Sequence, residues 1–207
     1  MIRPAGFRGA AFGDAANGNA RDDRRSRERL SNALGIPSTW ASVRQVHGDR
    51  VIAVDEPGPA GEADGLVTVK RRLPLTVATA DCIPIIIEGA RSVAVVHAGW
   101  RGVAAGVIAS ALEAMRELRD SPRRAAIGPS IGPCCFEVGD EVLAAIGGFA
   151  STTNAMTQSV DLWSAAEAQL RGLEVWRADA CTATDPAYHS FRRDGTSERQ
   201  VAVAWLP

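Results

Sequence analysis

Two soft donors flank a pair of apolar runs in this chain. Cys82 stands just before the run at residues 83–87, and His97 just after the run at residues 92–96, with the polar turn Glu88-Gly89-Ala90-Arg91 between them. Short apolar runs on either side of a turn are the signature of adjacent antiparallel strands. Antiparallel pairing lays the start of one strand beside the end of the other, so thiol and imidazole converge at one sheet edge. His47, next to a turn at Gly48-Asp49, is the third candidate. Two histidines and a cysteine make three positions of a tetrahedral zinc site and leave the fourth for water or substrate. Cys82 and His97 equally suit a nucleophile–base pair. The spacing is not that of a zinc finger, so the residues alone leave both chemistries open. Asp81 adds a carboxyl beside Cys82, and Arg44, Arg101, Arg192 and Arg193 offer guanidinium groups suited to an oxyanion. Of these, Arg101 follows Trp100 at the start of a predicted helix, where free backbone N–H groups favour an anion.

Elements that place these residues follow from pattern. A charged helix is predicted over residues 21–34, with Leu30, Ala33 and Leu34 inward and Gly35-Ile36-Pro37 as its stop. The acidic and basic cluster at residues 22–25 reads as a solvated face. From Trp40 the chain reads as a strand end running into the turn at Gly48-Asp49, returning at 51–54, with further strands at 63–69 and 75–78 and a Gly/Pro-rich loop at 57–62. Many strands without long helices between them argue for a mixed or antiparallel sheet. Val103, Val107, Ile108, Ala111, Leu112, Met115 and Leu118 recur at helical spacing, which predicts one amphipathic helix. A strand at 125–127 leads to Gly128-Pro129-Ser130-Ile131-Gly132-Pro133-Cys134-Cys135, whose two Gly-Pro steps impose a fixed loop. Adjacent cysteines are poorly placed to chelate one ion, so Cys134 and Cys135 read as packing, and Cys181 is expected beneath the terminal strand. A short helix at 139–146, a loop at 151–159, a helix capped by Asp161 and closed by Gly172, and strands at 173–177 and 200–206 complete a single α+β domain.

Bulk numbers bound the function. The chain has 207 residues, enough for a substantial core, with 23 Lys and Arg against 24 Asp and Glu. A net charge of −1 leaves no footprint for nucleic acid or membrane. The first residues lack an apolar signal core, and no apolar stretch approaches the roughly 20 residues needed to span a bilayer. The expectation is a cytoplasmic protein with reduced cysteines. Only three histidines occur. That number cannot furnish the many imidazoles of a multicopper oxidase, so copper ranks behind zinc.

Five motifs in order carry a resemblance: Arg-Gln-Val-His-Gly at 44–48, Ala-Asp-Gly-Leu-Val-Thr at 63–68, Thr-Ala-Asp-Cys-Ile-Pro at 79–84, His-Ala-Gly-Trp-Arg-Gly at 97–102, and Ile-Gly-Pro-Ser-Ile-Gly-Pro-Cys-Cys-Phe-Glu-Val at 127–138. Asp-Leu-Trp at 161–163, Cys-Thr at 181–182 and Ser-Phe-Arg-Arg-Asp-Gly at 190–195 extend it. The chain resembles the YfiH family of LACC-type, laccase-domain purine nucleoside enzymes. Near its start, residues 7–13 depart from the family's usual pattern. The resemblance implies a mixed-sheet α/β sandwich related to a toxin deamidase and zinc held by His47, Cys82 and His97. It also implies phosphorolysis of adenosine, inosine and methylthioadenosine, with hydrolytic deamination of adenosine alongside. In that setting Asp81 is expected to shuttle protons, and Arg44, Arg101 and Arg192 to hold phosphate. The His-x-Glu and Pro-Cys-x-x-Cys pattern of zinc nucleobase deaminases is missing. A Cys-His amidase acting on cell-wall precursors and a non-catalytic partner-binding protein are the alternatives.

Overall fold

The computed structural model describes residues 1–207. Its strands are β1 (Ala10–Phe12), β2 (Ala41–Arg44), β3 (Val51–Ala53), β4 (Gly58–Glu62), β5 (Gly65–Thr68), β6 (Leu75–Thr79), β7 (Ile83–Gly89), β8 (Val93–Ala98), β9 (Pro122–Ile127), β10 (Ala150–Thr152), β11 (Gln158–Val160), β12 (Glu174–Arg177) and β13 (Gln200–Ala204). Its helices are α1 (Arg24–Leu34), α2 (Trp100–Ala105), α3 (Val107–Glu117), α4 (Asp140–Ile146), α5 (Leu162–Gln169) and α6 (Phe191–Asp194). Five strands form one sheet in the order β1-β13-β6-β2-β4, and six form a second in the order β12-β9-β7-β8-β5-β3. β10 and β11 pair as a separate hairpin.

Near-continuous apolar strands need cover on both faces, and the two sheets supply it to each other. Ile86, Val95 and Leu66 from the six-stranded sheet meet Leu75, Val77 and Ala202 from the five-stranded one in a dry layer between them. Alternate residues of the same strands, Ile83, Ile85, Ile87, Ala94 and Val96, point the other way onto α3 and α5. On the far side of the five-stranded sheet, Leu30 and Leu34 of α1 cover Ala78, Val201 and Val203. The result is a four-layer α/β sandwich in one domain, with mixed sheets as the sequence suggested.

Several local expectations are corrected. α1 begins at Arg24 because Asp23 caps it, accepting from the backbone N–H of Arg25 and Ser26. The helix expected from Val103 to Leu118 is two helices: Gly106 adopts φ +94°, ends α2, and lets α3 restart at a new angle. Residues 57–62 are not a loop, since β4 pairs parallel with β2 at the edge of its sheet, where Pro59 needs no ladder donor. Residues 151–159 contain most of the β10–β11 hairpin. β3 does not return along β2; it pairs with β5 in the other sheet. α5 ends at Gln169, before Gly172, although Asp161 caps its start as expected. Cys181 lies beside the Gly-Pro loop, not beneath β13, through a bridge to Ser130.

Candidate active site

The β2-to-β3 connection carries the chain from one sheet to the other, and so does the connection from β6 to β7. His47 lies on the first crossing, and Asp81 and Cys82 lie on the second. His97 sits near the end of β8, opposite Pro84 in the antiparallel register with β7. Sheet pairing therefore brings Cys82 and His97 together, and the crossing brings His47 to them. Their donor atoms lie within 4.8 Å of one another. Cys82 Sγ is 3.9 Å from His47 Nε2, and the two imidazoles meet edge to face at 4.8 Å between centroids. Gly99 makes room for this approach, since a Cβ there would lie 3.0 Å from His47 Cδ2 and 3.1 Å from Cys82 Sγ.

Asp64 organises the cluster. Its fully buried carboxylate accepts the backbone N–H of Val46 (3.2 Å), His47 (2.9 Å) and Gly48 (2.7 Å). Three successive N–H groups converging on one anion hold His47 in the left-handed region, at φ +62°. The same carboxylate is 2.8 Å from Nδ1 of His97, leaving Nε2 of that ring toward Cys82. An acid–imidazole pair of this kind fixes tautomer and ring orientation behind a metal ligand. Burial pushes the Asp64 carboxyl up, but the bonds from His97, Gly48 and His47 outweigh it and hold the group below the usual range. For Cys82, burial also raises the thiol, and hydrogen bonds and positive charge from His47 and His97 bring it down to about 6. His97 is pulled down by burial and raised by Asp64 and Cys82 to about 9. Thiolate and imidazole at this separation, with a carboxylate behind, form a donor set that suits a borderline-soft divalent ion.

These side chains open onto a cleft of about 480 Å³, within the size range of small-molecule sites. Arg192 lines it, together with Arg21, Arg199, Phe136 and Phe191. Arg44 and Arg101 do not. Arg44 pairs with Glu62 on the exposed edge, while Arg101 stacks over Trp100 with Glu141 4.0 Å away. Both sit on the elements expected, but neither side chain lines the cleft. Asp81 lines the wall, at φ +89°, with each carboxylate oxygen already engaged: Thr182 Oγ1 donates at 2.6 Å and the Arg192 backbone N–H at 2.7 Å. Arg193 is a brace, bonding the carbonyls of Thr182, Asp185 and Tyr188.

Sequence reasoning assigned no role to Asp64 or Gln45, although both lie inside the quoted motifs. Gln45, at the start of the first crossing, is tied to β6 by pairing its side-chain amide with both backbone groups of Ala78. Only a polar residue in an otherwise buried strand entry, Ala63-Asp64-Gly65, signalled Asp64. Nothing local marked Arg21 or Arg199, which reach the cleft from distant parts of the chain.

Residues 4–207 match the model of the multi-copper polyphenol oxidoreductase laccase family. The chain belongs to this family. A purine nucleoside phosphorylase of Mycobacterium tuberculosis is 41% identical over 197 residues, covering 87% of this chain and 78% of its own length. One from Streptomyces griseus is 37% identical, covering 87% and 80%. Among solved structures, YlmD from Geobacillus stearothermophilus superposes with a TM-score of 0.86 at 27% identity, covering all of this chain and 98% of that one. The YfiH protein of Bacillus licheniformis shares the fold, with a TM-score of 0.82 over 91% of this chain and 82% of its own, at 24% identity. No helix is long and apolar enough to cross a membrane.

Proposed function

We propose that this chain is a purine nucleoside phosphorylase that acts in the cleft below His47, Cys82 and His97. The convergence of these three donors on a cleft that also presents arginines and aromatic rings carries the reading. The names of the curated relatives support it. The substrates are adenosine, inosine and methylthioadenosine with inorganic phosphate. Phosphate oxygen bonds to C1′ as the C1′–N9 bond breaks; the electron pair passes to the purine, which leaves as the free base after protonation. Phe136 and Phe191 provide faces for a purine, and Phe191 is 60% exposed and therefore available. Arg192 spends Nη1 on the carbonyls of Cys135 and Glu137. That fixes the guanidinium so its remaining donors, with Arg21 and Arg199, neutralise phosphate charge. The buried Thr79 hydroxyl, which has no protein partner, adds a donor at the wall.

His47, Cys82 and His97 would hold zinc, which when bound would supply Lewis-acid stabilisation of developing negative charge. Asp64 keeps His97 oriented, and Gly99 leaves the donors room. Asp81 is better suited to anchoring Thr182 and Arg192 than to the proton-shuttle role expected for it, because donors already occupy both its oxygens. Deamination of adenosine, in which water adds at C6 and ammonia leaves, is the second activity proposed for the same cleft. Incubation with each nucleoside, with and without phosphate, tests this. Base release that requires phosphate is expected, and ammonia release from adenosine without it. Absence of base release with phosphate present refutes phosphorolysis. Cys82→Ser is expected to lower zinc occupancy and turnover together; full occupancy in that variant contradicts the ligand assignment.

The depressed Cys82 thiol favours one rival, a Cys-His hydrolase. Activity that survives chelation but not thiol alkylation would select it.

A further inference from the structure

The cleft accounts for one of two clusters of metal-ligating side chains. The other lies in the Gly-Pro loop. Cys134 and Cys135 leave that loop with their sulfurs 3.5 Å apart, and Cys181 meets them from the segment after β12. All three sulfurs lie within 4.8 Å of one another, and none is in a disulfide. Cys134 and Cys135 are expected only to pack; Cys181, remote in sequence, completes a set of three sulfurs.

The surroundings are built to hold it. Ser130 and Cys181 form an isolated bridge, with Thr182 N–H donating to Ser130 O at 3.0 Å. Gly132 N–H donates to Cys181 Sγ at 3.2 Å, a contact that favours the thiolate. Gly132 has no room for a side chain: a Cβ would lie 2.9 Å from the Trp163 ring and 3.4 Å from the Cys181 Cβ. Trp163 is itself fixed by donating to Ser130 Oγ at 2.6 Å. Cys181 is buried, whereas Cys134 and Cys135 are half-buried, so the cluster has a rigid floor and an accessible mouth.

We propose that Cys134, Cys135 and Cys181 form a second metal site, an all-thiolate site for a soft d10 cation, Cu⁺ or Zn²⁺. With metal–sulfur bonds of about 2.3 Å, three thiolates around one ion stand roughly 3.8–4.0 Å apart. The Cys134–Cys135 sulfurs stand 3.5 Å apart, slightly inside that range, and Cys181 Sγ lies within 4.8 Å of both, so adjustments of side-chain torsions suffice. No histidine or carboxylate joins the cluster. A three-sulfur set without a fourth protein donor suits three-coordinate Cu⁺ best. The site stands apart from the nucleoside cleft but touches its frame: Thr182, next to Cys181, donates to Asp81, and Arg192 bonds the Cys135 carbonyl. An occupied site would brace both contacts and stabilise the fold.

The test uses the full chain, reduced and stripped of metal, with Cys82→Ser as background to disable the first site. Cu⁺ is titrated anaerobically against a competing chelator, and Zn²⁺ against a chromophoric one. The expected result is one tightly held equivalent with ultraviolet thiolate-to-metal absorption, lost when Cys134→Ser and Cys135→Ser are added. Tighter capture of Cu⁺ identifies three-coordinate binding, and tighter capture of Zn²⁺ identifies recruitment of a water as fourth ligand. Equal binding by the two variants, or none by either, overturns the proposal. Should the combined variant misfold by circular dichroism, alkylation of the unmutated protein decides: the ion must protect Cys134 and Cys135 from iodoacetamide. Unchanged labelling overturns it. Neither readout depends on nucleoside turnover, so failure here is distinct from failure of the phosphorylase reading.

Discussion

Asp64→Asn tests the frame of the candidate active site with almost no change in volume. The carboxylate receives four N–H donors on two oxygens, from Val46, His47, Gly48 and His97. An asparagine amide keeps one oxygen, so two of those donors face an NH2 group instead. At about 1.5–3 kcal/mol for each hydrogen bond to a charged group, the loss is about 3–6 kcal/mol before relaxation. That is a large share of a stability of about 5–15 kcal/mol. Zinc affinity is expected to fall by about 10–100-fold as His97 loses its orienting partner. The control is Asp120→Asn. Asp120 closes the opposite end of the same β7–β8 hairpin, accepting from the backbone N–H of Ala90, Arg91 and Ser92 and from the Ser92 hydroxyl. Both variants should melt at lower temperature, but only Asp64→Asn should weaken zinc in a chelator competition. Wild-type zinc affinity in Asp64→Asn, with a melting shift like the control's, refutes the orienting role and leaves Asp64 as a loop brace.

Gly99→Ala should reduce zinc affinity while leaving the metal-free melting temperature nearly unchanged. The backbone there, at φ −69°, accepts alanine, but the new methyl presses on His47 and Cys82. Arg192→Ala should raise KM for phosphate, whereas Arg44→Ala and Arg101→Ala should leave it unaltered, because those two guanidinium groups lie outside the cleft; a phosphate effect from Arg101→Ala contradicts this placement. In metal-free protein, carbamidomethylation of Cys82 should rise with pH around a midpoint near 6, where an ordinary thiol titrates near 9; peptide mass analysis across pH ~5–10 (about one unit beyond each end of that interval) reads this directly. Asp64 and Asp120 both have carboxyls held low in the fold, Asp120 because bonds from Arg91, Ser92 and Ala90 outweigh its burial. Their stabilisation is complete above the unfolded-state value of about 4 and is lost as pH falls through the lower folded values. Acid unfolding monitored by circular dichroism should therefore be shallower in Asp120→Asn than in the wild type.

Much of the site was legible because its strands are local. The runs around Cys82 and His97 are joined by a short turn, so pattern alone predicted both their pairing and the meeting of thiol and imidazole. The Asp161 cap was equally readable, since it depends on near neighbours. The family motifs added the expectation that His47 joins them, but its route depends on a crossing between sheets that no periodicity reveals.

Tertiary structure decided the rest. Asp64 could act on His47 and His97 only after β5 was laid between β3 and β8. The arginines were sorted by where their side chains emerge: Arg192 into the cleft, Arg44 and Arg101 outside it, Arg21 and Arg199 into it from segments with no motif. The three cysteines of the Gly-Pro loop and the Cys181 segment became a cluster through one isolated bridge. A sequence specifies which residues can do chemistry and which neighbours pair along a strand. Distances between side chains remote along the chain depend on how two sheets stack and where the chain crosses between them, and packing of the whole core sets that.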